Sequence, residues 1–351
     1  MEEKKRIYYL DVLRTIACIA VIMIHSSATL TIKCEVNSTN FEIGNVWDAL
    51  GRIGVPLFVM ISGALMLDKN YNCSKEKMKK HIARMIEFFM FWSILYCIIY
   101  EILIPKFINH DSIKINKVIT ELIKGHYHLW FIYLIIGVYL IVPLLRLWVK
   151  DENKKYVKYF IILSIFFVYI IKYVVTIGKN FSESFVKIND FYDNSFQLKY
   201  IGGYTAYFLL GWYLNNYDLK HKKCIYILGI LGLLVSIIGT SILSSIANKS
   251  VDLFDNLGIN VLAQSVAVFV FIKDKFKEKE NENKVVKSIS KHSLGIYAMH
   301  PAFITVIYKI FEISNINNAL ICIPIAFAVV FLGSYLGTYI FSKIPGLRKV
   351  V

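Results

Sequence analysis

The feature that most constrains this chain is a recurrence of long apolar runs, each close to a bilayer-spanning length, separated by short lysine-rich stretches. About 20 consecutive apolar residues make a helix that crosses the hydrocarbon core of a membrane. In lipid each segment has to satisfy its own backbone polar groups, so such runs read as helices and not as open strands. By run length they lie near residues 8–30, 46–67, 82–104, 128–149, 157–177, 200–216, 224–246, 252–273, 290–314 and 318–342. The expected fold is all-α: a polytopic bundle of about ten transmembrane helices, one domain over residues 1–351, with no fused soluble or extracytoplasmic catalytic domain. Composition agrees. Hydrophobic residues make up 56% and charged residues 19% of the chain, against about 45–50% and about 25% in soluble domains.

A formal net charge of +15 alone is compatible with nucleic-acid binding, but its distribution points to a membrane. With the N-terminus inside, 26 of the 40 Lys and Arg fall in inner segments and 10 in outer loops. The inner ones include Lys4, Lys5 and Arg6, seven lysines between 273 and 291, and Lys343, Arg348 and Lys349. This asymmetry predicts both termini in the cytoplasm and a multi-pass protein of the cell membrane, with the lipid bilayer and no nucleic acid as its surroundings. The first run carries Asp11 and Arg14 and is too long for the apolar region of a signal peptide, so it reads as a retained helix. The six cysteines form no CxxC pair and read as small core residues. No HExxH spacing and no P-loop occur, so neither a metal nor ATP-driven transport is expected. Of the longer connections, 105–127 and 178–199 read as outer loops and 273–291 as a solvated charged linker. The polar, aromatic 178–199 stretch reads equally as a lid or acceptor-binding loop and as a plain connector.

Ionisable residues inside the runs are costly in lipid and therefore informative. In the first run Arg14 and His25 stand eleven residues apart. At 3.6 residues per turn that is close to three full turns, so both project from one face, separated by roughly 16 Å along the axis. Asp11 lies one turn before Arg14 and can pair with it. His25 in the outer half is a candidate general base and Arg14 a cationic group at the inner end. Arg52 sits well inside the second run, where it could hold an anionic substrate group or pair with Asp48, and Gly54, Pro56 and Gly63 would let that helix bend. Arg84 and Glu87 are three apart at the inner end of the third run, a spacing that favours an ion pair. His126 and His128 fall at the outer surface beside Trp130, and His300 precedes Pro301, which frees a backbone carbonyl. Together these residues describe a polar track running from the inner face towards the outer leaflet.

The segments LDVLRTIACIAVIMIH, GVPLFVMISGALM, HLWFIYLIIGVYLIVP, YTAYFLLGWYL and SLGIYAMHP, in that order, resemble the acyltransferase-3 family of integral membrane acyltransferases. The resemblance covers residues 8–342, and the ten-residue gap between Arg14 and His25 is its most specific element. It implies a protein that takes an acyl group, usually acetyl, from cytoplasmic acyl-CoA and passes it to an acceptor at the outer face. Such acceptors include cell-surface polysaccharides and related envelope glycans. By position Arg14 and His25 match the family's essential pair. The chain resembles the stand-alone polysaccharide O-acetyltransferase branch, which leaves room for a separate extracytoplasmic partner protein. In this reading Arg14 and His25 are catalytic, and Arg52, Asp11, Arg84, His128 and His300 serve substrate binding. Acetyl-CoA is the donor, with no metal. A carrier or flippase for a polar or lipid-linked envelope precursor is the competing reading, since intramembrane ionisable groups and broken helices suit transport as well.

Overall fold

The computed structural model describes residues 7–106, 114–196, 198–251, 253–279 and 283–351, backbone only at 198–200 and 315. Lys4, Lys5 and Arg6 lie outside the described residues, as does the middle of the charged linker. Among the described residues the secondary structure is helical, without strands. Seven helical stretches are long and apolar enough to cross a membrane: Tyr8–Thr31, Thr39–Met66, Lys75–Leu103, Ile115–Trp148, Asp151–Gly178 (which holds α7, Lys154–Ser164, and α8, Lys172–Gly178), Lys222–Ala247 and Ala319–Lys343. Helices also occur at the other three expected positions, α10 (Leu198–Asn216), α12 (Ile259–Phe276) and α13 (Lys284–Thr305), but these are shorter or more polar.

The helix α1 (Tyr8–Thr31) is the hub. It packs on α2 (Thr39–Gly51), α3 (Gly54–Met66), α12, α13 and α14 (Ala319–Lys343). Its partnership with α13 is parallel. At one end Arg14 donates to the Ser290 hydroxyl at 3.2 Å and Thr15 to the Val286 carbonyl at 3.2 Å. At the other, Tyr308, just beyond α13, donates to the Ser26 carbonyl at 2.6 Å. The second expected span is broken at Arg52 and Ile53 into α2 and α3. Pro56 has no N–H to return to the carbonyl four residues earlier, so the helix opens there. Gly51 and Gly54 flank the break and lie against the α1 backbone. A Cβ at Gly51 would come within 2.7 Å of the Ala20 carbonyl oxygen, and one at Gly54 within 3.0 Å of that of Ala17.

Across the core, α3 crosses α10 through Gly63 and Gly211, each so close that a Cβ would overlap a backbone carbonyl of the other helix. The middle of α10 is buried, with Tyr207, Phe208 and Leu209 fully enclosed. The rim is made differently. On α14 the buried residues Cys322, Ala326, Val330, Ser334 and Thr338 repeat every fourth position, while Leu320, Ile325, Leu332 and Leu336 point outward. Small residues on the inner stripe let helices approach closely where lipid gives no hydrophobic drive to association.

Several expected boundaries move. The third span begins at Lys75, seven residues early, because Ser74 caps its first turn by accepting from the Lys77 N–H. The second begins at Thr39, where Ser38 accepts from the Phe41 N–H. The two connections read as outer loops are not wholly loops. One contains α5 (Ile115–Lys124) and the other α9 (Glu183–Ser195), which starts at a Ser182 cap. Both are amphipathic or polar helices, which run-length reading passes over.

Candidate active site

The parallel α1–α13 pair carries polar groups at two levels. At the first level Arg14 pairs with Asp11 at 3.3 Å and shares Ser290 with it, since the Ser290 hydroxyl also donates to the Asp11 carboxylate. Asp11 is 4% exposed, so this contact anchors the guanidinium from within the helix packing. Arg14 lines a cavity of about 290 Å³ whose walls come from α3, α4 (Lys75–Cys97), α6 (Trp130–Trp148) and α13. Its polar lining includes Ser62, Tyr71, His81 and Ser293, and Phe131 and Tyr297 close it at the far end.

At the second level, roughly three turns along both helices, the rings of His25 and His300 stack with centroids 4.9 Å apart and planes at 29°. His128, from the turn Tyr127–Leu129 that opens α6, stands edge-on to His300 at 5.2 Å. His126 completes the cluster. Its Nδ1 lies 3.2 Å from the Nδ1 of His128, so one of the two carries the proton and the other accepts it. Tyr96 from α4 stacks on His126 at 4.6 Å and donates to the Ala298 carbonyl at 2.6 Å, and Tyr127 meets His25 edge-on at 5.3 Å. Tyr297 belongs to both levels. Its ring lines the Arg14 cavity and lies 5.3 Å from that of His128, and its hydroxyl donates to the His128 carbonyl.

Two details define what the cluster can do chemically. His300 holds its Nδ1–H on the Tyr297 carbonyl at 2.6 Å, which leaves Nε2 as the basic nitrogen of the neutral ring. The Nε2 atoms of His300 and His128 are both buried without a hydrogen-bond partner among the described residues. Leaving such an atom unpaired costs about 1–3 kcal/mol, and sites tolerate that where the group is kept for chemistry. His25, by contrast, is only partly buried. Among the described residues no group of His, Cys, Asp and Glu is arranged to hold a metal ion.

Arg52 stands at the break between α2 and α3, beside the Ala20–Ile24 turn of α1, so it is about one turn from His25 and its field reaches that ring. It pairs with Asp48 at 2.8 Å and lies 4.8 Å from the centre of the Phe254 ring. Arg84 is elsewhere. No ion pair joins it to Glu87 among the described residues, and both line a separate basic cleft, because that turn of α4 faces the cleft and leaves them exposed. The structure thus gathers His25, His128 and His300 with Arg52 close by, sets Arg14 and Asp11 at the other level, and leaves Arg84 outside both. His128, read from sequence as a surface residue, is 2% exposed, because the Tyr127–Leu129 turn tucks under α13.

His126, Tyr96 and Tyr297 were not among the residues assigned to the site from sequence. Tyr297 had a readable signal, since it precedes His300 by three positions on one helix face. Tyr96 had none; only the packing of α4 on α13 brings it in. No match was found among curated proteins, and none among solved structures. The model of the acyltransferase-3 family, an acyltransferase domain, matches residues 7–341, and Arg14, His25, His128 and His300 all fall within that match. A multi-pass helical membrane protein with this match over nearly its whole length belongs to the acyltransferase-3 family, and it is an O-acyltransferase.

Proposed function

We propose that the protein moves an acyl group, acetyl in the simplest case, from cytoplasmic acyl-CoA to a hydroxyl of an envelope polysaccharide at the outer face, with His25 at the reacting centre. The observation that carries this reading is the two-level arrangement of α1 and α13. A cavity beside Arg14 leads to Tyr297, and the imidazoles of His25, His128 and His300 gather directly beyond it. The thioester arm of the donor enters from the Arg14 level. Arg14, held by Asp11 and Ser290, offers a fixed cation to its polar groups.

The reaction forms an ester bond between the acceptor oxygen and the acyl carbon and breaks the carbon–sulfur bond of the thioester. His25 takes the hydroxyl proton and returns it to the departing thiolate, or it carries the acyl group itself between two half-reactions. His300 stacks on His25 and His128 stands edge-on to His300; their free Nε2 atoms bind the acceptor hydroxyl or share the proton. Arg52 supplies positive potential for the oxyanion that develops on the acyl carbonyl.

The test uses purified protein in nanodiscs, acetyl-labelled acetyl-CoA and a panel of envelope glycans, comparing the native chain with His25→Ala. Release of CoA and labelling of a glycan that fall by about 10²–10⁴-fold in the variant support the reading. CoA release without any labelled glycan assigns the second half of the transfer to a separate extracytoplasmic partner. Native-like turnover in His25→Ala refutes the role of His25. Movement of a lipid-linked precursor without consumption of acyl-CoA favours a carrier instead.

A further inference from the structure

A second and larger cavity, of about 1340 Å³, opens at the end of the bundle where α4 and α13 begin. Stretches far apart in the chain converge on it: Lys80 and Arg84 from α4, Lys291 from α13, Lys343 from the end of α14, and Arg348 and Lys349 from the turn beyond. Glu87 is the one acidic side chain among the described residues that line it. None of the six cations forms an ion pair with a described residue. Other lysines of the molecule are neutralised: Lys222 by Asp274 at 2.7 Å, Lys273 by Asp218 at 2.9 Å and Lys172 by Asp193 at 2.7 Å. Six like charges around one cavity repel one another, and the arrangement is favourable when an anion of several charges lies between them.

The last two cations are held there by a built feature. Gly346, at φ +93°, turns the chain back beneath α14, a conformation that L side chains rarely adopt. The Trp92 indole N–H donates to the Val350 carbonyl at 2.8 Å in a buried setting, and the Trp92 ring stacks on Phe341. Val351 lies against Gly295 of α13, where a Cβ would come within 2.9 Å of the valine's own. The same turns of α4 and α13 also border the Arg14 cavity. Lys80 and Arg84 face the cleft while His81 and Met85 face the cavity, and His292 and Ser293 divide in the same way. A ligand anchored in the cleft therefore sits next to the entrance of the cavity.

We propose that this cleft binds the phosphates of the donor's nucleotide, a diphosphate and a separate 3′-phosphate, and that the fold-back of residues 344–351 completes it. Trp92 acts as a positioning residue that holds Arg348 and Lys349 on its wall. The inference rests on the acyl-CoA reading and names the part of the chain that recognises the nucleotide end. An anionic lipid headgroup offers the same phosphate chemistry, so the experiment separates the two sources.

Full-length protein in phosphatidylcholine nanodiscs is titrated with labelled CoA and with dephospho-CoA, which lacks the 3′-phosphate. In the native protein CoA binds about tenfold more tightly than dephospho-CoA. The double variant Arg348→Gln, Lys349→Gln weakens CoA binding by about tenfold or more and narrows that preference. Trp92→Phe keeps an aromatic ring at the position and loses the N–H; it raises KM for acetyl-CoA severalfold and leaves kcat in place. A monodisperse double variant with native CoA affinity overturns the proposal. So does a double variant that sheds added phosphatidylglycerol while its CoA affinity holds, because the cleft then belongs to lipid. Native protein that binds CoA through these residues but never turns acyl-CoA over keeps the subsite and refutes acyl transfer. Turnover with an unchanged KM in the double variant does the reverse.

Discussion

Helices α11 (Lys222–Ala247) and α13 are of similar length and play opposite parts. The mean hydropathy of α11 over its best stretch is 2.3, yet only 22% of that stretch is buried. Its enclosed residues are Gly229, Gly232, Ser236, Thr240, Leu243 and Ser244, while Ile230, Leu234, Ile238 and Ile242 face outward. The helix α13 is not apolar enough to be counted as a span, yet it buries Ser290, His292, Ser293 and a fully enclosed His300. Hydropathy in this protein therefore reports contact with lipid, not position in the fold. Hydrocarbon tails are as apolar as leucine, so nothing drives the greasiest helix inward. Polar groups, whose exposure to lipid is costly, are drawn together at the centre instead.

The contrast can be broken most directly at His300. Its replacement by Ala is expected to lower acyl transfer by about 10²–10⁴-fold with the protein still extracted as a folded species, whereas Leu234→Ala on the lipid face of α11 leaves the rate unchanged. Equal activities in a CoA-release assay would show that the enclosed histidine is only packing. Next in size is the crossing of α3 and α10. Gly63→Ala forces a methyl into the Phe208 carbonyl and is expected to cost about 3 kcal/mol or more. Gly137→Ala on α6, where nothing lies within 4 Å, is expected to be neutral or to gain up to about 1 kcal/mol. Thermal unfolding followed by detergent-solubilised fluorescence would separate the two.

A smaller effect sharpens the comparison inside α11 itself. Asn260 donates to the Ser236 hydroxyl at 2.7 Å and to the Leu253 carbonyl at 2.8 Å, tying α12 to the inner stripe of α11. Asn260→Ala should destabilise by about 1–3 kcal/mol, while Ile238→Ala on the opposite face should do less; a reversed order in the same unfolding assay would contradict the assignment of faces. The smallest effect lies outside the membrane. The hydrogen bond from Lys273 and its charge hold the Asp218 carboxyl below its ordinary range. A depressed carboxylate stabilises the fold above its unfolded pKa and loses that contribution as pH falls through the folded value. Asp218→Asn should therefore lower the melting temperature slightly at pH 7, with the difference shrinking towards about pH 3.

How much was legible follows the same physics. The run lengths located every long helix, because apolar length is what a bilayer selects. They misplaced the starts at Thr39 and Lys75, because the serine caps and polar first turns that begin those helices lie outside the hydrocarbon. They passed over α5 and α9, whose sequences are too polar for a run-length rule. Arg14 and His25 could be read as sharing one face from helical spacing alone, and the Asp11–Arg14 and Asp48–Arg52 pairs follow from spacings of three and four. The Arg84–Glu87 pair has the same spacing and does not form, since spacing allows a contact without requiring it.

The sequence by itself determined that this chain is a helical membrane protein, which family it belongs to, and which helix carries an arginine and a histidine on one line. These are local properties: length, periodicity and a motif within a single segment. Only the tertiary structure decided that His300 stacks on His25, that His128 is enclosed and joined by His126, and that Arg84 faces a cleft completed by Arg348 and Lys349. Those contacts join residues up to about 275 positions apart, and their register is set by the glycine crossings and the hydrogen bonds between helices, which no single segment encodes.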